Sequence, residues 1–323
     1  MAVPTNTVQT FDRNSIREDL TDIISNIDPY ETPLMSNIGT GSARQRLHEW
    51  QVDNLAAASG SNATVEGDDP DNEVLSPTQR RNNYTQLSDK VVQVSSTSRA
   101  VDNAGYADEL AYQLQKVSKE LKRDCETRLS GNFAAVPGNS GTAGESAGSV
   151  GFITTNVDAA GDGSDPTLCA GTSGYPNAAA GVGTARAATE QQIKDMMQAA
   201  WTAGGTPTIA LMGGALKQKV STFPGLAEQR YQAPTGMTTI IGAADVYVSD
   251  FGNLTFVPSR FCPTDTIQLL DPELWKVCDL QPYAMETLAK TGHSDQRMIY
   301  REYTLQCQNE AGNAVIRDLD AAL

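Results

Sequence analysis

Two histidines, His48 and His293, are the only imidazoles in the 323 residues. His293 stands in the run Thr291-Gly292-His293-Ser294-Asp295, which holds the residue types of a hydrolytic triad: a hydroxyl nucleophile, an imidazole base and a carboxylate to orient it. The spacing argues against that chemistry. Neighbouring side chains on a strand or turn diverge, whereas a triad is assembled from separated positions. The same run reads as a hairpin tip, because Gly, Ser and Asp favour turns for backbone reasons. After it Ile299, Arg301, Tyr303, Leu305 and Cys307 alternate with Glu302, Thr304, Gln306 and Gln308, the pattern of a half-buried strand. Tyr283 to Leu288 is its expected partner, which puts His293 in the connecting turn. His48 lies in the alternating run Leu47 to Asp53 and reads as a strand residue.

Other constellations fail on spacing. The five cysteines, Cys125, Cys169, Cys262, Cys278 and Cys307, are odd in number and scattered, so the expectation is free thiols, neither a disulfide framework nor a zinc site. Asp68, Asp69, Asp71 and Glu73 suggest calcium, but the EF-hand spacing with its sixth-position Gly is absent. Gly181-Val182-Gly183 lacks the third Gly and the strand-to-helix context of a dinucleotide loop. No nucleophile elbow or Walker loop occurs. The expectation is a protein with no catalytic, cofactor-binding or metal residues, no cofactor, and no enzymatic activity.

The elements that would position such residues belong to a chain long enough for one large or two smaller domains. Its 24 Lys plus Arg against 39 Asp plus Glu give 24 − 39 = −15, which argues against gripping nucleic acid through many phosphate contacts. The start, MAVPTNTVQTFDRNSIREDL, shows no basic leader followed by an apolar run, and no stretch of about 18 apolar residues occurs; a soluble, intracellular product is expected.

Up to about Gln45 periodicity is weak and Pro29 and Pro33 interrupt helix, so this part reads as an extended arm with a short helix at Ser15 to Asn26. Leu47 to Asp53 and Leu87 to Val94 read as strands flanking a long polar excursion, with five carboxylates and no base between Asn62 and Glu73. Either a ribbon needing an outside surface or a disordered acidic loop fits. Ala104 to Ser130 is the clearest helix: Leu110, Leu114, Val117, Leu121 and Leu129 make one stripe, Asp102 or Asn103 can cap it, and Gly131 stops it. Pro137 to Arg186 holds 11 of the 27 glycines and no lysine, and reads as loop with one strand at Gly151 to Thr155. Thr189 to Ala203 is a helix with a Thr189/Gln192 capping box, a Gly204-Gly205 stop and a buried face of Ile193, Met196, Met197, Ala200 and Trp201. Its methionines fit core packing better than a soft binding groove. A strand at Thr208 to Met212, a short helix at Ala215 to Ser221, and a hairpin of Ile240 to Ser249 with Asn253 to Val257 complete an α/β module.

In this order, and in the stretches "IDPYETPLMSNIG", "KQKVSTFPGLAEQRY", "TTIIGAADVYVSDFGNLTFVPSRF", "LAKTGHSDQR" and "YTLQCQNEAG", the chain resembles the tailed-phage (Caudoviricetes) major capsid or head protein family with the Hong Kong 97 fold. The resemblance implies an α+β fold with an N-terminal arm (1–46), an extended loop (47–98), a peripheral domain with spine helix and Gly-rich insertion (99–186), an axial domain (187–275) and peripheral return strands (276–323). Phe223 to Met237 would be the loop nearest the five- and six-fold axes. It implies pentamers and hexamers tiling an icosahedral shell around double-stranded DNA, bound without sequence specificity. The partners would be other copies of the chain, with scaffolding, portal and decoration proteins and no membrane, in a virion assembled in the host bacterial cytoplasm. No lysine occurs from Val52 to Asp89, so no cross-link from that loop is expected, and the short arm implies a separate scaffold. Net acidity implies an inner surface with few unpaired cations. The rivals are an encapsulin-like cellular nanocompartment shell and a secreted adhesin or surface-layer protein; the latter requires a signal peptide.

Overall fold

A computed structural model describes residues 31–53, 55–67, 69, 75, 77–101, 108–169, 174–223 and 245–323. The expected helix at 15–26, part of the acidic run, the caps Asp102 and Asn103, residues 240–244 of the hairpin and the loop after Phe223 lie outside these residues.

Two sheets organise the rest. The first orders its strands Gly39–Ser42, Trp275–Thr287, Ser294–Cys307 and Gln86–Ser95. Its centre is the long hairpin expected from sequence, running from Trp275↔Cys307 to Thr287↔Arg297. Ile299, Arg301, Tyr303, Leu305 and Cys307 are all buried, but so is Thr304 on the opposite face, so this strand is covered on both sides near its end. The second sheet orders Val246–Ser249, Gly252–Pro258, Ile209–Met212, Ile267–Leu270, Ala314–Ile316 and Val157–Asp158. Ala314–Ile316, near the chain's end, lies between Ile267–Leu270 and Val157–Asp158 with all three residues fully buried, and Leu319–Asp320 pairs separately with Arg186–Ala187.

The long helix, Glu109–Ser130, lies on the Gln86–Ser95 strand through Leu110, Leu114 and Val117 against Val92 and Val94. It begins five residues later than its apolar pattern suggested. Asp108, not Asp102 or Asn103, is the N-cap, its side chain accepting from the Leu110 N–H at 3.1 Å. The helix Glu190–Thr202 has the complete capping box, and its end is a Schellman closure: Gly205 N–H donates to Ala200 O and Gly204 N–H to Trp201 O, with Gly204 at φ +91°. Ile193, Met197 and Ala200 are buried as expected, but Trp201 is 55% exposed and rests on the Phe251 ring, 5.4 Å between centroids.

Two strand assignments change. The partner of Leu47–Val52 is Gln79–Tyr84, while Gln86–Ser95 joins the first sheet beside Ser294–Cys307. The sequence QRRNNY hides a strand because its buried positions are Asn82 and Asn83, which carry no hydrophobic period. Gly151 to Thr155 is not a strand: Ser149–Phe152 is a buried helical turn. Gly148 and Gly151 permit it, because a Cβ at either would meet the backbone carbonyls of Gly131 or Phe133.

Candidate assembly surfaces

The Leu47–Val52/Gln79–Tyr84 ribbon is rooted firmly and then leaves the body. At the root, Trp50 is buried with its ring 6.1 Å from Phe152, which stands edge-on to Trp275. Asn83 is fully buried and uses its whole amide: Nδ2 donates to Leu305 O at 2.8 Å and Ser146 Oγ at 3.1 Å, and Oδ1 accepts from Tyr84 and Ala147 N–H. Thr85 adds a 2.7 Å hydrogen bond to Glu302. Beyond Val52 every described residue up to Arg80 is exposed. Leu55 is 100%, Val65 75% and Leu75 88% exposed, apolar side chains that none of the described residues covers.

The Gly-rich segment behaves oppositely. Ser146, Ala147, Ser149, Val150 and Ile153 are fully buried. Further along, Asp318, in the left-handed region at φ +59°, accepts backbone N–H groups from Ala160 and Gly183 at 3.0 and 2.9 Å. Arg317 donates to Gly181 O and to Asp165, and Arg186 pairs with Asp158 at 2.6 Å. Asp162 takes both the N–H and the hydroxyl of Thr184. Glu310 receives Thr154 and Thr155 N–H, both at 3.1 Å. The far end of the chain thus clamps this strap.

One carboxylate fastens the arm side. Glu126 of the long helix is fully buried and accepts Leu34 N–H at 2.6 Å and Met35 N–H at 3.0 Å, capping the helix Pro33–Asn37. Burial raises its carboxyl above the ordinary range, against the pull of those two donors.

The residues that suggested chemistry are engaged structurally. His293 lies between the hairpin strands and its carbonyl accepts Ser96 N–H at 3.1 Å. Ser294 and Asp295 are the first residues of the strand, not turn residues as expected. Ser294 Oγ donates to Thr291 O, and Asp295 is held between Lys290 and Arg99, both at 2.6 Å, which keep its carboxyl below the usual range. The three do not converge. His48 Nε2 is 3.2 Å from Gln306 Oε1. None of the five cysteines is in a disulfide; burial raises four of the thiols, Cys262 to about 12 and Cys278 to about 11. Among the described residues no three His, Cys, Asp or Glu side chains form a metal cluster, and no helix is long and apolar enough to cross a membrane. Sequence reasoning missed Asn83, Glu126 and Asp318. Only Glu126 left a trace, as a charge inside the Leu121, Cys125, Leu129 stripe.

Comparison with known proteins matches this architecture over its whole length. The curated relative is the major capsid protein of Escherichia phage Phieco32, 29% identical over 350 residues, covering 98% of this chain and 97% of the relative. Among solved structures, the capsid asymmetric unit of cyanophage A-1(L) superposes with a TM-score of 0.68 at 11% identity, covering 97% of this chain and 99% of that one. The SrpI encapsulin of Synechococcus elongatus PCC 7942 superposes with a TM-score of 0.57 at 12% identity, covering 98% and 97%. The fold is the α+β Hong Kong 97 capsid fold expected from the sequence. The model of the SU10 major capsid protein family, a structural family and not an enzyme family, matches residues 3–320, and this chain belongs to that family.

Proposed function

We propose that this chain assembles as pentamers and hexamers into the icosahedral shell of a phage head that encloses double-stranded DNA. The observation that carries the reading is a full-length capsid-family match in a subunit whose rooted ribbon ends in uncovered Leu55, Val65 and Leu75. Obligate interfaces between copies, on the order of 2,000 to 5,000 Å², are the natural cover. In this reading residues 1–46 are the arm, 47–98 the extended loop, 99–186 and 276–323 the peripheral domain and 187–275 the axial domain. Assembly occurs in the host bacterial cytoplasm. Scaffolding, portal and decoration proteins are separate chains, no lysine cross-link arises from the ribbon, and the subunit performs no catalysis.

Negative-stain microscopy with sedimentation of the protein expressed alone tests this: shells, pentamers or hexamers are expected, and a monomer that never associates would overturn it. The encapsulin likeness supports a second reading, a cellular shell loaded with protein cargo. The family match and the curated relative favour the phage head, and nuclease-protected DNA in particles made during infection separates the two.

A further inference from the structure

The net charge of −15 conceals an uneven distribution. Three of the chain's nine lysines, Lys116, Lys119 and Lys122, stand within seven residues of the long helix, followed directly by Arg123. At about 100° per residue these four fall within an arc of about 120°. Lys116, Lys119 and Lys122 are exposed and Arg123 is half-buried. The opposite side of the helix, carrying Leu110, Leu114 and Val117, is the one packed on the sheet.

The acidic residues of this stretch are already committed. Glu120 and Asp124 lie on the flank towards the sheet, where Lys90 engages them at 3.4 and 2.9 Å, and Glu126, one turn beyond Lys122 and within reach of its charge, is buried and taken up by the Leu34 and Met35 N–H groups. Lys116, Lys122 and Arg123 make no ion pair among the described residues. Lys116, Lys122 and Arg123 therefore present positive charge along one side of the helix to an external anion.

The row also has a length. Lys116 to Lys122 spans about 9 Å of helix axis, close to the rise of three phosphates on one DNA strand at about 3.4 Å each. Lysine ammonium groups are point charges that neutralise phosphates and read no bases.

We propose that this face of the long helix holds the phosphate backbone of the enclosed double-stranded DNA, without sequence preference, and is the side of the helix turned to the shell interior. The inference rests on the shell reading above. Each subunit contributes a weak contact, and repetition over the shell makes it effective while the remaining acidic surface keeps the DNA from adhering elsewhere, in place of the inner surface with few unpaired cations that net acidity alone implies.

The test compares wild type with Lys116→Gln/Lys122→Gln/Arg123→Gln and with the charge-keeping Lys116→Arg/Lys122→Arg/Arg123→Lys. Particles recovered from expression of the full chain are treated with nuclease and their retained nucleic acid per subunit is measured. Subunits dissociated from them are titrated with a short random-sequence DNA duplex over a salt series. The glutamine variant is expected to form particles, retain several-fold less nucleic acid, bind the duplex at least about tenfold more weakly, and lower the salt slope by about 2 to 3, at about 0.9 per phosphate contact. The charge-keeping variant is expected to match wild type. Equal affinity and slope in the glutamine variant overturn the proposal, as does an equal loss in the charge-keeping variant. If the glutamine variant forms no particles, the duplex titration on folded subunits, checked by circular dichroism, decides alone. Absence of particles from wild type overturns the shell reading instead.

Discussion

The ribbon beyond Asp53 and the strap between Pro137 and Arg186 look alike in sequence: both are long, polar and without period. In the structure they part company. The strap is drawn onto its own subunit by carboxylates and guanidinium groups from the chain's end, Glu310, Arg317 and Asp318, which take up its backbone N–H and C=O groups. The ribbon is fixed only at its root, by Trp50 and Asn83, and every described residue from Asp53 to Arg80 is exposed. Irregular chain is ordered when something satisfies its backbone. The strap finds that within the subunit, and the described ribbon residues beyond Val52 lie open to solvent.

That contrast can be broken most visibly at the ribbon. Replacing Leu55, Val65 and Leu75 together by Ser removes the uncovered apolar side chains and touches nothing within the subunit. Particle formation is expected to fall to a small fraction of wild type by sedimentation. Subunit stability should shift by no more than about 0.5 kcal/mol per position. A melting temperature that drops markedly would mean the ribbon does pack on its own body.

The strap should respond in the opposite sense. Asp318→Ala removes the acceptor for two backbone N–H groups and places Ala in the left-handed region. At about 1.5 to 3 kcal/mol for each of the two charge-assisted hydrogen bonds, plus about 1 for the backbone, the loss is about 4 to 7 kcal/mol. Asp318→Asn, which tolerates that backbone and keeps one acceptor oxygen, should lose about half as much. Denaturant unfolding gives the magnitude, and limited proteolysis between residues 157 and 186 shows whether the strap is what loosens.

Glycines sharpen the comparison. A Cβ on Gly148 would overlap the Gly131 carbonyl oxygen and lie 2.9 Å from Arg128 O, whereas a Cβ on Gly60 in the ribbon meets nothing within 4 Å. Gly148→Ala is expected to cost about 1 to 3 kcal/mol or more, and Gly60→Ala less than about 0.5 kcal/mol. Similar losses at both would erase the distinction.

Where the physics is local, the sequence was readable. The strand from Ile299 to Cys307 followed from its alternation after a Gly-containing turn, though its partner runs from Trp275 to Thr287 and not from Tyr283 to Leu288, and the Glu190–Thr202 helix followed from a capping box and a Gly stop. The His293 cluster falls at the hairpin end as its turn residues suggested, although Ser294 and Asp295 already belong to the strand. The strand Gln79–Tyr84 was not readable, because it buries asparagines whose partners, Leu305 O and Ser146, are 222 and 63 residues away. The buried turn Ser149–Phe152 overlaps the strand expected at Gly151 to Thr155, because glycines signal only loop or bulge in sequence, while the close approach that requires them is tertiary. Asp318 as the strap's clamp gave no local sign at all. Long-range polar satisfaction leaves almost no mark in a window of residues.

Glu126 tests whether the arm side is held as the strap is, by a carboxylate receiving backbone N–H groups. Its burial raises the folded-state carboxyl above the ordinary value of 4.5, so the folded chain holds this proton more tightly than the unfolded one. The associated stability is fully present below that ordinary value and is lost as pH rises through the raised one. Glu126→Gln carries no charge at any pH, and leaving one of the two N–H groups without an acceptor costs about 1 to 3 kcal/mol at every pH. The stability of the variant relative to wild type should therefore improve as pH rises from about 4 towards about 7. This is the smallest of the expected effects, measured as the difference in denaturant midpoint at matched pH. A difference that is flat with pH, or that runs the other way, would show that the two N–H donors outweigh burial, and would make the arm's fastening a purely charge-assisted clamp like that of Asp318.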